Sequence, residues 1–429
     1  MAEALSRSGA VANIVSLVRQ PDEWAPGALG RLAYSAPWLN LSATSLKGTL
    51  NMVHWGAFQD RLCEDTDDDV SSDWRAEWLL EREFRRISGA DPDCVAMVYP
   101  RSHQVVKCVA RVCRRLGWRI VVVANEALTD VHIDTGSRDR YIKCVVEHAD
   151  VVWAVSHHLA EFWLAHGMPY ERIWVAPTIV SPRFFDAEVR PRRDDVAVYV
   201  GNLAHSEVSS LLEIAQLVKE RRPSFELVIY GDSDSAGRER LASRGVALGL
   251  SSTVRVESPV PVAELPSIIA AADVLMLPRA SGEFSTAGFP NKLAEYLASG
   301  RPCVVTAVGD IPRYLIDGQS AYLVPPDDNR AFAEKVVEVL ANPESADTVG
   351  LIGRGVARAI AESDQVARAF LETVSATPRR GPGREPRPRT RPCRSMARLA
   401  RIELQRVGRW SRSRISRTLK TIGAQWRDA

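Results

Sequence analysis

The sequence predicts an α/β protein with two doubly wound parallel sheets, and three features point there. Residues 190–377 alternate short apolar strands with helices of ten or more residues, the pattern of βαβ units. Residues 93–177 repeat that alternation. The chain has 429 residues, enough for two domains of ordinary size, each with its own core.

The elements follow in order. The first ninety residues are the least regular. A helix is expected at 10–18 with no strand before it, and the acidic stretch 63–73 is expected to be a solvated loop. Residues 93–98, 118–124, 151–155 and 173–176 read as strands, the last stopped by Pro177; 103–116, 140–148 and 159–166 read as helices, with His157 and His158 at a helix start. At 184–194 Arg, Pro and Asp replace the apolar pattern. A linker there divides the chain into domains 1–187 and 188–377. In the second domain, strands are expected at 196–200, 225–230, 254–256, 274–277, 303–306 and 321–324. Helices are expected at 209–220, 238–248, 263–272 and 328–340, and another between Pro290 and Gly300. Pro290 suits a first turn, where its missing N–H is unpaired anyway. Gly300 suits the position just past a helix end, and Pro302 stops the helix from continuing.

Composition narrows the function classes. Hydrophobic residues make up 46% and charged residues 25%, values of a globular protein in water. The net charge of +2 hides an asymmetry. Residues 378–429 hold sixteen Lys/Arg and three Asp/Glu, a net of +13, which leaves the rest at −11. Residues 378–392 are too rich in Pro and Arg to fold alone. Residues 396–419 alternate Arg with Leu399, Ile402, Val407, Trp410, Ile415 and Leu419, as a basic amphipathic helix does. An anionic membrane surface is the partner favoured for 394–420; a solvated tail and nucleic acid are the other readings. The seven cysteines include no C-x-x-C pair and read as reduced thiols. With no apolar run near ~20 residues and no secretion signal, a cytoplasmic location is expected, peripheral at the inner face of the membrane. A P-loop and a Gly-x-Gly-x-x-Gly are both missing, which argues against NTPases and dehydrogenases. The scattered histidines form no zinc pattern. Asp65-x-Asp67 and Asp232-x-Asp234 are too unspecific to mark a metal site, so neither metal nor cofactor is expected.

The most informative stretch is Phe289-Pro290-Asn291-Lys292-Leu293-Ala294-Glu295-Tyr296 and the helix and strand that follow. Lys292 and Glu295, three apart, share one helix face near the N-terminus. That end carries free N–H groups and partial positive charge, which suits a phosphate. A cation and a carboxylate there can hold a diphosphate and a pair of ribose hydroxyls. The stretch resembles the donor-site signature of retaining, nucleotide-sugar-dependent glycosyltransferases of the GT-B type, family 4 (group 1), in the Pro-Asn-Lys-Leu-x-Glu-Tyr variant.

The resemblance implies two Rossmann-like domains facing a cleft, acceptor side first and donor side second. It implies metal-independent transfer of a sugar, with retention, from a nucleotide-diphosphate sugar to a glycan, a lipid-linked intermediate or a small polar metabolite. Glu295 matches the family's second Glu, whose carboxylate receives the ribose hydroxyls. The first Glu falls at Ala287, and Glu283 is the nearest acidic substitute. Lys292 is expected at the leaving diphosphate. The small-residue loop 281–288 and Phe289 are expected to bring backbone N–H groups, notably that of Gly288, to the phosphates. The family's Gly-Arg after the first donor strand is here Gly201-Asn202, with no Lys nearby. Ser258 and Val260 sit where the family reads the nucleobase. On the acceptor side Glu126 lies near the reacting sugar, and Arg101 and His103 are candidates for an acceptor phosphate. The incomplete Glu pair keeps two alternatives open: a non-catalytic binding or scaffold member, and a sugar-nucleotide epimerase of the same fold.

Overall fold

The computed structural model describes residues 13–16, 51–54, 77, 80–82, 84–85, 94–99, 103–125, 135–187, 195–203, 207–232, 235–378 and 380. Strand β1 (Asn13–Ser16) pairs in parallel with β2 (Asn51–His54). The helix expected at 10–18 is therefore corrected: the centre of that stretch is a strand. Ile14 and Val15 are β-branched, and such side chains lose rotamer freedom in a helix but fit a pleated sheet.

The next sheet has the order β3 (Val95–Val98), β4 (Arg119–Ala124), β5 (Val151–Ala154), β6 (Ile173–Val175), with every pairing parallel. Helices His103–Leu116, Thr135–His148 and His157–Ala165 connect these strands. The first buries Val106, Val109, Val112 and Cys113 at helical spacing against the sheet.

The third sheet contains β7 (Val196–Asn202), β8 (Glu226–Asp232), β9 (Val254–Glu257), β10 (Val274–Leu277), β11 (Cys303–Thr306) and β12 (Tyr322–Val324). Its order is β12-β11-β10-β7-β8-β9, again all parallel. Read by position, this is the doubly wound order with its switch point between β7 and β10. Strands β10 and β11 are buried at every position, as strands covered by helices on both faces must be. Asp273 ahead of β10 accepts the Val196 N–H at 2.9 Å, and Asp150 ahead of β5 accepts the Ile120 N–H at 2.9 Å. The same Ala-Asp-Val sequence thus ties an inner strand to its neighbour in each half.

Helix Pro343–Ala361 packs against helix Asn291–Ser299. The last described helix, Ser363–Ala376, belongs by position to residues 188–377, yet its stripe Val366, Phe370 and Val374 lies on Val121, Val151 and Trp153 of the first half. The chain crosses between halves beside its earlier crossing: Val180 N–H donates to the Ala361 carbonyl, and Ser363 N–H to that of Val180. Five described cysteines, Cys94, Cys108, Cys113, Cys144 and Cys303, are free thiols, as read from their spacing. Among the described residues no helix is long and apolar enough to cross a membrane. The expectations for Glu126, Arg101 and the tail 394–420 lie outside the described residues.

Candidate functional site

Helix Asn291–Ser299 starts one residue after the expected position, with Pro290 as its N-cap residue at φ −74° and ψ 119°. It ends at Gly300 in the left-handed region (φ 78°), whose N–H returns to Leu297 at 3.0 Å. Tyr296 fastens the helix to the sheet: its hydroxyl accepts the Val200 N–H at 2.7 Å. The N-terminus is therefore held beside the end of β7, on the carboxyl edge where such sheets bind ligands.

Lys292 lies there. Its Nζ donates to the Tyr199 hydroxyl at 2.8 Å and sits 4.5 Å from that ring's centroid. Tyr199 is completely buried. Gly201 completes the niche: a Cβ added there would stand 2.6 Å from Lys292 Nζ and 2.7 Å from the Tyr199 hydroxyl. Glu295, one turn along, is half-buried and has no hydrogen-bond or ion-pair partner among the described residues. Burial pushes its carboxyl up to about 7, against the opposing pull of the Lys292 ammonium. A carboxylate left unsatisfied at half burial is costly unless a ligand supplies donors. The sequence-expected pair is thus brought together with Gly201 at one spot.

The remaining candidates divide. Ser258 is exposed just after β9, and Val260 is half-buried against the core. Asn202 ends β7, opposite Asp232. Glu283 is exposed at the start of the short helix Glu283–Ala287. Ala287 is fully buried against Ala154, Val155 and Leu159, and its carbonyl accepts the Ser156 hydroxyl. The position to which the resemblance assigns a first carboxylate is occupied here by a contact between the halves. A Cβ on Gly288 would lie 3.7 Å from the Asn125 carbonyl, so Gly288 brings this loop to the end of β4. Phe289 is buried, edge-on to Tyr314 at 5.6 Å. His103 begins its helix half-buried, its carbonyl accepting the Cys144 thiol at 3.3 Å.

Two groups escaped the sequence reading. Asp310, buried after β11, accepts the His157 backbone N–H at 2.5 Å and meets His157 Nδ1 at 3.0 Å. It thereby caps helix His157–Ala165 from the opposite half, beside Ser156, whose hydroxyl accepts the Leu159 N–H at 3.0 Å. Tyr199 is the other, a polar tip hidden in an apolar strand two residues before Gly201; that spacing was its only signal. Among the described residues no three His, Cys, Asp or Glu side chains cluster to hold a metal.

Comparison with known proteins adds a family match over part of the chain. Residues 194–342 match the family described as glycosyl transferases group 1. A D-inositol 3-phosphate glycosyltransferase of Corynebacterium urealyticum is 32% identical over 139 residues, 31% of this chain and 32% of the relative. A GDP-mannose-dependent alpha-(1-6)-phosphatidylinositol monomannoside mannosyltransferase of Mycolicibacterium smegmatis is 28% identical over 253 residues, 56% of this chain and 62% of the relative. The chain thus spans less than two thirds of the curated relatives it matches. Among solved structures, Anabaena HepE in complex with UDP superposes with TM-score 0.61 at 15% identity, covering 85% of this chain and 100% of that one. Sucrose-phosphate synthase of Thermosynechococcus elongatus gives TM-score 0.61 at 17% identity, over 86% and 90%. Residues 194–342, about a third of the chain, thus match the glycosyl transferases group 1, and the chain carries the GT-B fold.

Proposed function

We propose that this chain transfers a sugar from a nucleotide-diphosphate sugar to a hydroxyl-bearing acceptor, with the nucleotide on the second half and the acceptor on the first. The observation that supports this reading is the placement of Lys292 and Glu295, which has no partner among the described residues, on one turn at a helix N-terminus, with Lys292 crowding the Gly201 backbone. Glu295 suits two ribose hydroxyls, which donate to a carboxylate in charge-assisted hydrogen bonds. Lys292 and the free N–H groups of the helix suit the diphosphate. In the reaction the bond from the anomeric carbon to the phosphate oxygen breaks, the acceptor hydroxyl oxygen bonds to that carbon, and the hydroxyl proton passes to the departing diphosphate oxygen. Charge grows on the departing diphosphate, and a preorganised ammonium and helix terminus stabilise it without rearrangement. Retention and metal independence follow the family resemblance. The acceptor is a glycan, a lipid-linked intermediate or a small polar metabolite, a range consistent with the relatives' names.

The buried Ala287 favours a second reading, a protein that binds the nucleotide without turnover. Calorimetry and product analysis with a panel of nucleotide sugars and acceptors separate the two. The first reading expects one nucleotide class to bind, transfer to occur, and Glu295→Ala to weaken binding about tenfold. Binding without transfer across the panel supports the second. Unchanged affinity in a folded Glu295→Ala variant removes the donor site altogether.

A further inference from the structure

We infer that Tyr199 is a positioning residue that fixes the Lys292 ammonium for a nucleoside diphosphate; this rests on the donor site proposed above. Lysine is a point charge on a flexible four-carbon stem, and it selects a phosphate sharply only where its stem is held. Three features hold it here. The Tyr199 hydroxyl takes one of the three ammonium hydrogens at 2.8 Å. The ring beneath attracts the charge from 4.5 Å. Gly201 leaves empty the space that any side chain would take from both groups.

The arrangement also satisfies the tyrosine. Tyr199 is completely buried, and a buried hydroxyl requires a partner. Its strand neighbours Val198 and Val200 pack with the core, so the hydroxyl is the one polar side-chain atom in this run of the strand. Its placement beneath the ammonium makes β7 a support for the phosphate end of the site. Asn202, the residue after Gly201, carries no charge. Lys292 is the cation that the described residues place at Gly201, and the work of aiming it falls to Tyr199.

The test is a double-mutant cycle on the full chain: parent, Tyr199→Phe, Lys292→Met and the double variant. Calorimetry measures UDP, GDP and ADP against the matching monophosphates, and steady-state kinetics follow the donor that the panel identifies. The expected parent prefers the diphosphate, and Lys292→Met abolishes that preference. Tyr199→Phe keeps the ring, reduces the preference about fivefold, and lowers kcat more than it raises KM. The double variant is no worse than Lys292→Met, because Tyr199 acts only through the lysine. A parent that binds none of the nucleotides overturns the donor site and this proposal together. Undiminished preference in Tyr199→Phe, or a loss that adds to that of Lys292→Met, overturns the positioning role alone and leaves the donor site standing. If Tyr199→Phe fails to fold, Gly201→Ala replaces it. Its Cβ must push the ammonium from the niche, and an intact preference there also overturns the proposal.

Discussion

Glu295 shows at the scale of one residue how a binding group is held in readiness by its surroundings. Burial holds its folded-state pKa up at about 7, above the ordinary carboxyl value of 4.5. The sign follows from linkage: the folded state holds the proton more tightly, so this group's contribution is complete below 4.5 and fades as pH rises through 7. Thermal unfolding between pH 5 and 8 is expected to show the parent losing stability relative to Glu295→Gln. Nucleotide affinity is expected to move the opposite way, rising with pH in the parent more than in Glu295→Gln, because the ionised carboxylate is the better acceptor. Parallel stability curves for the two proteins would place the carboxyl in ordinary water. Lys292 and Glu295 were legible because a local spacing, three residues on a helix, sets their geometry. The fate of position 287 was not. The contact that buries Ala287 comes from Ser156, 131 residues earlier, and no local pattern encodes it.

The element that orders the site is helix Asn291–Ser299, and its own seat depends on small residues elsewhere. A Cβ on Gly353 would collide with the Ser320 carbonyl and stand 2.9 Å from Leu297 Cδ2. Gly355, two residues on in the same helix, faces open space. Gly353→Ala is expected to destabilise by ~1–3 kcal/mol through overpacking, whereas Gly355→Ala is expected to stabilise by ~0.5–1 kcal/mol through helix propensity. Urea midpoints check both, and equal effects would contradict the packing described. Most helices and strands of the second half were readable from their period. The two final helices were not; the contact face of Pro343–Ala361 is built largely of Gly and Ala and gives a weak apolar stripe. Helix Thr135–His148 begins five residues before the expected start because Thr135, Gly136 and Ser137 look like a turn. Residues 10–18 misled through the opposite error, an apolar run too short for its period to distinguish helix from strand.

For the whole molecule, the informative contacts join the two halves. Asp310 caps helix His157–Ala165 and also pairs with Arg313 at 3.3 Å. Ser156 reaches Ala287, and the Thr178 hydroxyl donates to Asn291 Oδ1 at 2.5 Å. These bonds tie the two halves together. Asp310→Ala removes the acceptor for a helix-terminal N–H, a loss of ~1–2 kcal/mol in comparable caps. Small-angle scattering is expected to show a larger radius of gyration for Asp310→Ala, reduced again by the bound nucleotide. Identical radii would assign closure to the apolar contacts alone. The pairing of the halves was invisible in sequence, whereas the Ala-Asp-Val that opens β5 and β10 was there to be read as an internal echo.

The two crossings between the halves lie side by side and are bonded to each other at Val180, Ala361 and Ser363. A single tether lets two bodies tumble freely; two parallel tethers joined along their length leave one easy rotation, as a door has on its pins. The helix beyond the second crossing is also the cladding of the β3–β6 sheet, with Phe370 against Trp174 at 5.5 Å. A fragment cut at the linker would therefore bare the apolar face around Val121 and Trp153, so the first half borrows its outer wall from the far end of the chain.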